Sequence, residues 1–125
     1  MPTQTELAQS AYGASKRSSA TPREVEFHAF AYVTGLMSAA RTSGVFGRMA
    51  EAMHENVRLW SALAADCGSP DNQLPPALKD NIIDLANFAR IHMGRVIDGK
   101  DTIDALIDVN LSVMKGLKAQ EGGDS

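Results

Sequence analysis

With 125 residues, 44% of them hydrophobic and 22% charged, the chain has the size and balance of one globular domain that buries its core without disulfides. A formal charge of −3, with basic residues scattered from Lys16 to Lys118, excludes the concentrated positive footprint of tight nonspecific nucleic-acid binding. The single cysteine, Cys67, excludes an internal disulfide and a thiolate zinc cluster.

Residues 1–20 are rich in Ala, Ser, Thr and Gln and lack the positive flank and apolar centre of a secretory signal. No apolar run approaches the roughly 18–20 residues of a membrane span, so the expected location is the cytoplasm, with no membrane partner. Leu7, Ala8, Ala11 and Tyr12 share one face of a short helix, marginal without tertiary support, and Ala14–Ser19 reads as a connector. The expectation is a partly flexible amino-terminal arm.

Thr21-Pro22-Arg23-Glu24 is a helix start: a capping hydroxyl, a proline where the missing N–H is harmless, and a glutamate completing a capping box. Phe30, Val33, Met37 and Ala40 mark its buried face, with Phe27 and Thr34 alongside, and Ser43-Gly44 stops it. The next helix spans roughly Val45 to Cys67. Its stripe of Phe46, Met49, Met53, Asn56, Trp60, Leu63 and Cys67 alternates steps of three and four. Trp60, the only tryptophan, is the expected anchor of the core.

A further helix begins near Pro75 and carries Leu78, Ile82, Leu85, Ala89, His92 and Val96, and Gly94 within it suggests a closely packed neighbour. Asp98-Gly99-Lys100 ends it. Asp101 is a candidate cap for the last helix, whose stripe is Ile103, Leu106, Asn110, Val113 and Leu117. With no alternating strand pattern, the fold class is all-α: a compact helical bundle of four main helices over 21–119, preceded by the short arm and followed by a disordered tail at 120–125.

Residues that could carry chemistry are dispersed. His28, His54 and His92 fall on three helices without a metal-ligand spacing and read as surface or edge residues. Cys67 lies at a helix end and reads as a core-edge residue. No nucleophile elbow, phosphate loop or dinucleotide fingerprint occurs, so no catalytic, cofactor-binding or metal residue is expected. Asn56 and Asn110 interrupt apolar stripes. Either they sit at stripe edges facing water, or they are inside and bonded to loop backbone such as the Asp66–Leu74 turn. Met37, Met49, Met53, Met93 and Met114 fit the core, and alternatively an adaptable groove for a partner helix.

Asn56-Val57-Arg58-Leu59-Trp60, Leu63-Ala64-Ala65-Asp66, Pro70-Asp71-Asn72-Gln73-Leu74-Pro75, Leu106-Ile107-Asp108-Val109-Asn110 and Met114-Lys115-Gly116-Leu117 occur in this order. Together they resemble the flagellar biosynthesis regulator FlaF family of alphaproteobacteria, over roughly residues 22–117. The resemblance places family-signature positions, structural or partner-binding, at Asn56, Leu59, Trp60, Asp66, Pro70, Asn72, Leu74, Pro75, Asn110, Gly116 and Leu117. The chain departs from the usual pattern at Val57, where a basic or polar residue is commoner, and at Cys67, usually aliphatic. The resemblance implies a non-catalytic role in flagellum biogenesis: control of flagellin synthesis by a flagellin-binding export chaperone, in opposition to the regulator FlbT. Direct action on flagellin mRNA is the alternative.

Overall fold

The computed structural model describes the backbone of residues 22–123 and the side chains of residues 26–117. Four helices account for most of it: α1 (Pro22–Ser43), α2 (Phe46–Cys67), α3 (Pro76–Ile97) and α4 (Asp104–Gly123). Among the described residues there is no strand, so the chain is all-α as its periodicity requires. The amino-terminal arm and Thr21 lie outside the described residues. The helix α4 runs on to Gly123, carrying 120–123 in helical backbone where a disordered tail is expected.

Glycines at two of the junctions make sharp reversals. Gly44 has φ 69°, a conformation that L side chains rarely adopt, and its N–H closes α1 onto the carbonyls of Ala40 and Arg41, both at 3.2 Å. The Ser43 hydroxyl then accepts the Val45 N–H at 3.1 Å, and α2 starts one residue later. Gly99, with φ 74°, plays the same part after α3.

Two contacts fix the helix directions. Phe30, early in α1, meets Trp60, late in α2, edge to face with centroids 5.2 Å apart, so α1 and α2 are antiparallel. Arg41, at the end of α1, bonds Asp104, at the start of α4, at 2.8 Å, so α4 also runs against α1 and therefore along α2. Helix α2 packs against α3 as well as α1, while α4 packs against α1. The interior is built from Phe30, Val33 and Met37 of α1, Met53, Leu59 and Trp60 of α2, Ala89 of α3, Ile103 just before α4, and Leu106 and Ile107 of α4.

Three local expectations need correction. Phe46 and Leu78 belong to their helices' apolar stripes but are 54% and 41% exposed, because each sits in the first turns of its helix, where the bundle no longer covers it. Gly94 has no heavy atom within 4 Å of where a Cβ would stand, so it marks no close approach. Asp101 does not cap α4. It lies three residues before the first helical residue, and its carboxylate instead accepts the Thr102 N–H at 3.2 Å and the Arg95 Nε–H at 3.1 Å. The hydrogen bond from Arg95, then that from Thr102, holds this carboxyl below the usual range.

Candidate functional site

The centre of the bundle holds a chain of polar side chains. Trp60 is 2% exposed, Asn56 and Asn110 not at all. The indole Nε1–H of Trp60 donates to Asn110 Oδ1 at 3.0 Å, and Asn110 Nδ2 donates to Asn56 Oδ1 at 2.7 Å. An indole can only donate, so it obliges Asn110 to present oxygen towards it and nitrogen away. That nitrogen in turn obliges Asn56 to present its oxygen. The orientation of both amides thus follows from one ring, and α2 is tied to α4 at a single register.

Both open readings of the asparagines are thereby corrected: neither faces water and neither bonds loop backbone. Asn110 is bonded on both its oxygen and its nitrogen, and Asn56 on its oxygen, which lowers the cost of burying these polar groups. None of these three groups titrates near neutral pH, so the relay offers no acid, base or nucleophile. Its capacity is structural.

A second set of family-signature residues builds the turn between α2 and α3. Asp66 Oδ2 accepts the Asn72 side-chain N–H at 3.1 Å, and Asn72 Oδ1 accepts the Leu74 backbone N–H at 3.0 Å. The Asn72 carbonyl takes Lys79 Nζ at 2.8 Å, anchoring the turn to the first turn of α3. Pro75 precedes α3 and its carbonyl accepts the N–H groups of Leu78 and Lys79 at 3.0 and 3.1 Å. Pro70 is exposed in the same turn. Leu59 is buried in the core, and Leu117 packs half-buried against it. Gly116 is exposed and joins neither cluster.

His92 departs from its reading as a surface or edge residue. It is buried, its Nε2–H donates to the Thr102 carbonyl at 2.8 Å, and its ring stacks on Phe88 with centroids 5.2 Å apart. The carbonyl can only accept, which places a proton on Nε2. Asp101 Oδ1 lies 3.9 Å from the same nitrogen. This clip of Arg95, Asp101, Thr102 and His92 pins the short α3–α4 connection. Its sequence signal is His92 standing as the one polar residue in the apolar stripe of its helix. His28 and His54 are both exposed, as their reading has them.

No group of three or more His, Cys, Asp or Glu among the described residues is placed to hold a metal ion. No helix among them is long and apolar enough to cross a membrane. Met37 and Met53 are wholly buried, and Met49, Met93 and Met114 pack half-buried against the core, so these methionines line the interior rather than a groove.

Cys67 closes α2 at 7% exposure. Burial first, and the neighbouring Asp66 carboxylate second, push its thiol pKa up, while Lys79 opposes them. The thiol therefore stays protonated at neutral pH. Alkylation by iodoacetamide is expected to run about an order of magnitude slower in the folded chain than in urea, since the thiolate is the nucleophile. Equal rates in the two states would place Cys67 outside the packed region.

Large apolar side chains remain at the surface of all four helices. Tyr32 on α1 is 54% exposed, Phe88 and Ile91 on α3 are 37% and 56%, and Leu111 on α4 is 50%. Phe88 and Ile91 stand three residues apart, hence on one face of α3. Among the described residues, the main helical seam of α3 is with α2.

No curated protein and no solved structure matches the chain significantly. The family model described as flagellar protein FlaF matches residues 8–117. That span takes in the turn after α2 and all three members of the buried relay, and the chain accordingly belongs to the flagellar protein FlaF family.

Proposed function

We propose that this flagellar protein binds flagellin as an export chaperone and, by sequestering it, couples flagellin availability to flagellin synthesis. The observation that carries the reading is the paired exposure of Phe88 and Ile91 on one face of α3, beside a core whose polar groups serve packing. A helical segment of flagellin would lay its apolar face there, and burying side chains of this size contributes about 1.5–3 kcal/mol each. Contact with FlbT is part of the same proposal, through a surface that flagellin leaves free.

Co-purification of flagellin with the full chain tests it. Ile91→Glu is expected to keep the helical content and melting temperature of the wild type while weakening flagellin capture at least about tenfold, because it places a charge in an apolar contact. Capture should change little between low and high salt, whereas binding to flagellin mRNA would fall steeply as counterions are no longer released to advantage. A wild-type chain that captures no flagellin, or steeply salt-dependent capture of the message instead, would overturn the proposal.

A further inference from the structure

The buried relay has a loose end. Once the indole has set Asn110 and Asn110 has set Asn56, the Asn56 amide nitrogen points onward with two N–H donors, and it has no partner. The Thr34 hydroxyl oxygen is likewise buried and unpartnered. Thr34 and Asn56 are themselves 6% and 0% exposed.

The two groups belong to the same level of the α1–α2 hairpin. Phe30 of α1 touches Trp60 of α2, and in an antiparallel pair one turn forward on the first helix faces one turn back on the second. One turn forward from Phe30 is Thr34, and one turn back from Trp60 is Asn56. A donor without an acceptor and a hydroxyl without a partner therefore meet at one seam. Leaving both unmade would be costly, and a helix-facing seam between small polar groups suits a ligand that both accepts and donates.

We infer that Asn56 Nδ2 and Thr34 Oγ1 hold an internal water molecule. The water accepts from the Asn56 amide and donates to the Thr34 oxygen. It extends the relay from Trp60 through Asn110 and Asn56 to α1, so that α1, α2 and α4 share one hydrogen-bonded thread. The inference is independent of what the protein binds.

Thr34→Val gives a test whose sign decides. Valine matches threonine in shape and closely in helix propensity, so the change removes little besides the hydroxyl. If Thr34 holds a water that Asn56 needs, the folding equilibrium constant in urea titration drops about five- to tenfold, as for a lost hydrogen bond. A constant that rises or stays unchanged would mean the hydroxyl has nothing to lose, and overturns the inference. A crystal structure of the full chain separates the remaining case: a solvent peak within about 3.2 Å of both atoms supports the water. A direct bond between Asn56 and Thr34, or no solvent peak between them, overturns it.

Discussion

Trp60→Ala is expected to leave the chain largely unfolded. Truncating a buried tryptophan typically costs about 3–5 kcal/mol in lost transfer energy and cavity. Here the loss extends further, because the indole also makes the edge contact with Phe30 and the bond to Asn110. Removing the donor strands a wholly buried amide oxygen, which adds about 1–3 kcal/mol. The sum approaches the about 5–15 kcal/mol by which domains of this size are stable at all. Trp60→Phe separates the two parts in some measure, since it keeps an aromatic ring in the core but removes the N–H along with the second ring of the indole. It should fall between wild type and alanine, about 1–3 kcal/mol down. Urea denaturation followed by far-ultraviolet circular dichroism reads all three chains. Finding Trp60→Ala within about 1 kcal/mol of the wild type would mean that the ring is not the anchor of the interior.

Asn110→Ala is expected to be nearly as severe although it deletes only a small polar group. Asn110 stands between two partners, so its loss leaves both the Trp60 N–H and the Asn56 carbonyl unpaired inside the bundle. Two orphaned groups at about 1–3 kcal/mol each place the effect at about 2–6 kcal/mol, well beyond an ordinary polar-to-alanine change. The chain-like arrangement also predicts non-additivity. With Asn110 already gone, Asn56 has lost the bond that its own substitution would remove, so Asn56→Ala should cost less in that background by about 0.5–3 kcal/mol. Strictly additive free energies in the double-mutant cycle would show that the two amides do not act on one another.

How much of this could be read from the sequence depends on whether a feature is local. The three- and four-residue spacing of Phe30, Val33, Met37 and Ala40 reports a buried face because helix periodicity is a property of neighbours along the chain. Ser43-Gly44 reports a helix end for the same reason. Asn56 and Asn110 mark the limit. Their stripes show that something polar lies on an apolar face, but their partners are 54 and 50 residues away in sequence, and no local rule names them. The same gap explains the reading of both as edge or loop-bonded groups. His92 was legible only as an oddity in its stripe, since its partner is a backbone carbonyl in a connection whose path depends on how α4 docks. Exposure at Phe46 and Leu78 was hidden for another reason: a stripe gives direction around the helix axis but not how far along it the neighbouring helices reach.

The position of the one tryptophan also gives the molecule an optical label of its own. The α1–α2 turn is only two residues long, so that hairpin can close early, putting Phe30 against the ring. The hydrogen bond on the indole nitrogen, by contrast, comes from α4 and is made only when the carboxy-terminal helix has arrived. Emission from Trp60 therefore carries two separable signals during assembly: one for burial of the ring, and a later one for arrival of the final strut.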